Sequence, residues 1–322
     1  MILEVLFLSV FSFILGYLIL PKLIKSLVKN GLFGRDIHKL NKPKVAEPGG
    51  IALIFSFIFT IFMYMALLTY FGEGVNNSLF AGILTVMIAG IIGLVDDFLN
   101  IKWRTKMILA FFPALPLIVL KAGVSGMIIP LVGFVDFGFF YSLVLIPLMV
   151  NFAINEFNMV AGYNGLESGL AIVSMVTIII ASFLTNNVVV AVLVASMLGG
   201  TVAFFLFNKF PAKIFPGDTG TFLWGSLLIT ALIIGNMEKL ALGIFFLYFI
   251  DFVGFLFCLK NGCRVKFAKI DSQERLHPSC GHRIYFALPY FFPNLNLKEK
   301  NITKIFVSFQ VLICIISLIV FI

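Results

Sequence analysis

Long apolar runs alternate with short polar connections from one end of the chain to the other. A helix needs about 20 apolar residues to cross the hydrocarbon layer of a bilayer, where its backbone must satisfy its own hydrogen bonds. By that criterion about ten spanning helices are expected: 1–20, 49–70, 79–95, 107–120, 139–154, 169–184, 188–207, 222–234, 240–259 and 302–322. The fourth, which carries Pro113 and Pro116, and the eighth are short. The opening run begins with Glu4 rather than a basic stretch and meets Pro21 and Lys22 without a small-residue cleavage site. It therefore reads as a retained first helix rather than a removable signal peptide.

Composition agrees: 61% of the 322 residues are apolar and only 12% are charged, which excludes a soluble globular protein and a disordered chain. Four cysteines are too few to staple this length, and no heptad seam runs through the apolar stretches. The fold class expected is all-α: a polytopic membrane protein with its active site at the cytoplasmic face, built as one integral membrane domain over 1–322. The sizeable polar segment is 260–301, read as a cytoplasmic loop between the last two helices.

Basic residues in short loops stay cytoplasmic. Of the 23 Lys and Arg, seven fall in 21–48, three in 96–106, two in 208–219 and nine in 259–304, against Lys121 and Lys239 in the opposite loops. This alternation makes the connections after the first, third, fifth, seventh and ninth spans cytoplasmic and puts both termini outside. It also accounts for the net charge of +8 without nucleic acid, because these residues flank spans and anchor them against anionic membrane lipid.

Ten of the fifteen acidic residues lie on that same side, several in clusters. Asp96 and Asp97 end the third span at its negative dipole end and so call for a cation, either a metal or Lys102, Arg104 and Lys106 just beyond; a solvated, salt-bridged loop is the plainer alternative. Asp218, in Pro216-Gly217-Asp218-Thr219-Gly220, reads either as a cap of the eighth span or as a hard-cation ligand beside phosphate-binding N–H groups. Asn155 and Asn158 share one helix face; amide oxygens suit Mg²⁺ and amide pairs suit a nucleobase edge, whereas capping and an Asn-Gly turn at Asn164-Gly165 are the structural alternatives. Cys263, His277, Cys280 and His282 match no standard zinc spacing, and His282-Arg283 looks instead like a cationic anion clamp. Asp251, in mid-span, is a functional candidate by position or a hydrogen-bonded bundle residue. Carboxylates, amides and cations converging on one face fit metal-assisted phosphoryl transfer.

These segments resemble the polyprenyl-phosphate N-acetylhexosamine-1-phosphate transferase family, in particular its dolichyl-phosphate branch of eukaryotes and archaea. The carrying residues are Leu94-Val95-Asp96-Asp97 with Trp103, Arg104 and Lys106; Asn155 and Asn158 with Ala161 through Glu167; Pro211-Ala212 with Phe215 through Thr219; and His282-Arg283-Ile284. The resemblance implies transfer of a sugar 1-phosphate, most simply GlcNAc 1-phosphate, from a UDP-N-acetylhexosamine to dolichyl or polyprenyl phosphate. UMP would be released, as the start of lipid-linked oligosaccharide synthesis. It implies Mg²⁺, or Mn²⁺ in its place, on Asp218 and Asn158; Lys106 on the phosphates; and Asp96 and Asp97 deprotonating the lipid phosphate or organising the metal site. Asn164 and Phe215 would surround uracil. Trp103, His282, Arg283 and Glu47 would surround the sugar and diphosphate. A homodimer and a prokaryotic cell membrane, rather than the endoplasmic reticulum, are also expected. Ala161 and Asn164 stand where bacterial members carry Asp, and Gly281 stands where eukaryotic ones carry the first Arg of Arg-His-Arg, which leaves the sugar open. The alternative from another class, a transporter of nucleotide sugars or lipid-linked sugars, calls for inverted repeats that do not read here.

Overall fold

Helices that are apolar on every side have no face for water and must bury themselves in lipid or in one another. The computed structural model, which describes residues 1–129, 132–260, 268–277 and 297–321, shows that outcome. The long apolar helices are α1 (Ile2–Lys29), α2 (Gly50–Tyr70) and α3 (Asn77–Leu99), followed after two short helices, α4 (Trp103–Leu109) and α5 (Leu115–Val119), by α6 (Ile146–Met159). Then come α7 (Leu166–Leu184), α8 (Val188–Asn208) and α9 (Gly217–Ile234); α10 (Glu238–Ile244) and α11 (Phe246–Lys260); and α12 (Glu299–Phe321).

Among the described residues eight helices are long and apolar enough to cross a membrane, α6 counting with the π turn Tyr141–Leu145 that leads into it. The bent pair α10 and α11, meeting at 63°, makes a ninth if taken as one span. Two expected segments depart from a continuous helix: 240–259, which is broken between α10 and α11, and 107–120. The latter is divided into α4, a 3-10 turn at Phe112–Ala114 and α5, because Pro113 and Pro116 cannot donate to a helical ladder.

Between helices in lipid there is little hydrophobic drive, so close packing of small residues decides which helices touch. The helix α9 is enclosed by α2, α3, α6, α7 and α8, and every residue of it from Thr219 onward is buried. Trp224 of α9 donates its indole N–H to Thr201 of α8 at 3.0 Å. At one end of the bundle Gly93 of α3 lies against the first turn of α9, so closely that a Cβ there would stand 2.5 Å from the Asp218 carbonyl oxygen.

At that same end the hairpin β1 (Phe33–Arg35) and β2 (Lys44–Ala46) pairs antiparallel, Phe33 opposite Ala46. The chain leading into α9 is laid along it: Phe215 N–H donates to Ala46 O at 2.8 Å, and Gly49 and Gly50 N–H donate to Phe215 O at 2.7 Å and Pro216 O at 2.9 Å. Two further hairpins complete the described elements, β3 (Gly126–Ile129) with β4 (Gly133–Asp136), and β5 (Lys269–Ile270) with β6 (Leu276–His277).

Candidate active site

The helix α3 ends because Asn100 turns left-handed at φ 50°, which brings the chain round to present Lys106 from α4 to the carboxylates behind it. Asp96, buried, accepts from Ile101 N–H at 2.7 Å and holds the Lys106 ammonium at 2.7 Å. Lys106 also pairs with Asp218 and lies 3.4 Å from the Asn158 amide oxygen. Asn158 in turn donates to Asp218 and, at 2.9 Å, to Thr221 Oγ1. One cationic nitrogen thus stands among oxygens of Asp96, Asn158 and Asp218, contributed by three different helices. The four residues predicted from sequence are brought together as a unit.

Asp97 does something else. Its carboxylate accepts Asp218 N–H at 2.7 Å, Thr219 N–H at 2.9 Å and the Thr219 hydroxyl. The first turn of α9 follows Pro216 and has no capping side chain of its own, so Asp97 supplies the cap from α3 and complements the helix dipole. The capping role proposed for Asp218 from sequence falls to Asp97. Asn155, expected on the same face as Asn158, turns back on Asn151, donating to its carbonyl at 2.9 Å.

A cavity of about 490 Å³ opens beside this cluster, and Glu47, Asn158, Asn164, Phe215 and Asp218 are among the residues that line it. A second, of about 460 Å³, is lined by Phe33, Glu47, Asp96, Asp97, Asn100 and Asp218 among others, so Glu47 and Asp218 belong to both. Burial, with the charges of Asp97 and Asp218 adding to it, raises the Glu47 carboxyl to about 7. Trp103 lines neither cavity. It is 64% exposed, with the Arg104 guanidinium 5.4 Å from its ring. His282 and Arg283 lie outside the described residues, as do Cys263 and Cys280; His277, the remaining member of that set, pairs with Asp271 at 3.1 Å. Asp251 is fully buried in α11 and lines neither cavity.

Sequence reasoning missed a second buried cluster, two of whose members, Asp36 and His38, line the larger cavity. Lys39 pairs with Asp36 at 3.3 Å and with Glu299 of α12, and stands over the Phe210 ring at 4.2 Å. The His38 ring lies tilted against Tyr163, centroids 5.0 Å apart, and burial, partly opposed by Asp36, lowers its pKa to about 4. Asp36 and Glu299 entered the sequence reading only as two of the acidic residues on one side. The run Asp36-Ile37-His38-Lys39, polar at three of four positions in the first basic connection, was the available signal.

Among the described residues two places have the chemistry to hold a cation. Ligand atoms of Asp36, His38 and Glu299 lie within 4.8 Å of one another, but the Lys39 ammonium already pairs with both carboxylates. The all-oxygen set of Asp96, Asn158 and Asp218 borders both cavities and suits a hard divalent ion, with Lys106 holding the cation's place. The residues therefore fit the metal expected from sequence.

Fold and site together define a multi-pass membrane protein with a cluster of carboxylate and amide oxygens around Lys106 at one end of its helix bundle. Residues 79–236 match the model of glycosyl transferase family 4. The chain is 34% identical over 279 residues to a protein of Saccharolobus solfataricus provisionally named UDP-N-acetylglucosamine–dolichyl-phosphate N-acetylglucosaminephosphotransferase, covering 86% of this chain and 84% of that one. A protein of Sulfolobus acidocaldarius with the same provisional name is 32% identical over 77% of this chain and 76% of its own length. The Saccharomyces cerevisiae protein that bears this name outright is 28% identical over 74% of this chain and 65% of its own. The chain belongs to glycosyl transferase family 4.

Proposed function

We propose that this protein transfers N-acetylhexosamine 1-phosphate, most simply GlcNAc 1-phosphate, from a UDP-sugar to dolichyl or polyprenyl phosphate and releases UMP. The observation that carries the reading is the placement of Lys106 among Asp96, Asn158 and Asp218 beside a nucleotide-sized cavity, in a chain similar over most of its length to relatives named for this transfer. The physical demand is that two polyanions meet at a membrane surface, which is prohibitive without positive charge at the point of contact.

Asp218 and Asn158 would hold the Mg²⁺, which when bound neutralises phosphate oxygens and polarises the phosphorus under attack. Lys106 supplies a second charge from α4, steered by Asp96, and the cap from Asp97 fixes the turn that carries Asp218. Phe215 offers a face on which a base can stack, and Asn164 offers its carboxamide in the same cavity. Glu47, common to both cavities and raised to about 7 by burial, is available to hydrogen-bond a ribose or sugar hydroxyl in either protonation state. A lipid phosphate oxygen then attacks the sugar-bearing phosphorus in line, and UMP leaves. The basic connections that flank the site support a cytoplasmic orientation with both termini outside.

The test is UMP release by purified, detergent-solubilised protein given Mg²⁺, dolichyl phosphate and a panel of UDP-sugars. Lipid-dependent UMP from UDP-N-acetylglucosamine, lost in Asp218→Ala, is the expected result. Turnover in Asp218→Ala near that of the unaltered chain would overturn the metal assignment, and UMP from no donor would overturn the transfer itself.

A further inference from the structure

A carboxamide carries a donor and an acceptor that exchange places when it rotates by half a turn, so what a ligand meets depends on which neighbour holds the other end. Asn164 is 3% exposed and is held on several sides. Its backbone N–H donates to Glu299 Oε1 at 2.7 Å, and its carbonyl accepts from Thr303 Oγ1 at 3.1 Å. Its side-chain nitrogen donates to Asp36 Oδ2 at 2.9 Å. Asp36 also accepts His38 N–H at 3.2 Å and lies 3.3 Å from the Lys39 ammonium. A carboxylate paired with a lysine only accepts, so the amide nitrogen must face it. Among the described residues no donor meets Asn164 Oδ1, and Asn164 lines the larger cavity.

We propose that Asp36, Lys39 and Glu299 are positioning residues that lock the Asn164 carboxamide with its oxygen toward the cavity, so that the site selects a nucleobase with an N–H at ring position 3. This rests on the UDP-sugar reading above and adds to it a cause for base choice. Uracil carries a single edge donor, N3–H, between two carbonyls. Cytosine has a bare ring nitrogen at the same place, whose lone pair would oppose the Asn164 oxygen. Leaving that buried acceptor unmet disfavours the wrong base on the order of 10- to 100-fold. The lock reaches across the molecule, because Asp36 and Lys39 come from the connection before α2 and Glu299 from the first turn of α12.

Equilibrium binding of UMP, CMP and 3-methyl-UMP to the full detergent-solubilised chain, with Mg²⁺ present, tests this. The unaltered chain should bind UMP at least tenfold more tightly than either of the others. Asp36→Asn, which gives Asn164 a neighbour able to donate as well as accept, should bring UMP and CMP to within about threefold of each other. Asp36→Ser frees the same amide and should do likewise if the Asn variant does not fold. Equal binding of UMP and 3-methyl-UMP by the unaltered chain would overturn the proposal while leaving uridine binding intact. A variant that weakens UMP and CMP by the same factor would show a scaffold role and overturn it too. Failure of the unaltered chain to bind any uridine nucleotide would instead remove the reading on which the proposal rests.

Discussion

Replacing Asp97 with Ala removes one carboxylate and three hydrogen bonds, two of them to the first N–H groups of α9 at 2.7 and 2.9 Å. Hydrogen bonds to a charged acceptor contribute roughly 1.5–3 kcal/mol each, and loss of a helix cap costs about 0.5–2 kcal/mol. The cap consists of those same bonds, so the two figures are not added; the second cavity borders Asp97 and admits water to part of the vacated space, which reduces the loss to about 2–4 kcal/mol. That predicts an unfolding midpoint lowered by roughly 5 °C or more, measured in detergent without substrate, together with loss of UMP release. Asp96→Asn is the comparison. It weakens the hold on Lys106 but leaves the α9 cap whole, so activity should fall with a smaller change in midpoint. If Asp97→Ala abolishes turnover yet unfolds at the temperature of the unaltered chain, Asp97 acts on substrate and the capping account is wrong.

Gly93→Ala forces a methyl group against the Asp218 carbonyl and should separate α3 from α9, lowering kcat at least tenfold with the chain still inserted; unchanged kcat would show that this contact yields freely. Phe215→Ala should raise KM for the UDP-sugar about tenfold and leave KM for lipid phosphate alone, as expected for loss of a base-stacking surface; equal effects on both would contradict that role. His38, with its pKa depressed from 6.5 to about 4 by burial, stays neutral in the folded chain while it charges in the unfolded one. Its contribution is present above about pH 6.5 and is lost as pH falls toward 4, amounting to about 2 kcal/mol between pH 7 and pH 5. His38→Asn should therefore flatten the acid limb of a thermal-unfolding profile over that interval, and an unchanged limb would assign it to other groups.

The hydropathic pattern located nearly every helix because a span needs continuous apolar length, which one-dimensional reading sees directly. It failed at 107–120, where apolar content was sufficient but Pro113 and Pro116 divide the segment, and a window average does not register where donors are missing. Asp96, Lys106, Asn158 and Asp218 were legible because their charge and position at span ends are unusual locally. Their division of labour was not, since only the approach of α3 to α9 shows that Asp97 turns toward backbone N–H groups while its neighbour turns toward Lys106. The Asp36–Lys39–Glu299 cluster was invisible for a related reason. Lys39 and Glu299 are 260 residues apart, and each alone looks like an ordinary charged residue in a polar connection.

The contact between Asn164 and the first turn of α12 also sets an order of events. A chain inserted as it is made has already placed α1 to α9, and with them Lys106, Asn158 and Asp218, before α12 emerges. Glu299 and Thr303 then arrive last and give Asn164 its final grip. The cluster around Lys106 can thus be assembled in a half-made protein, while the cavity wall at Asn164 is finished only when α12 is in place.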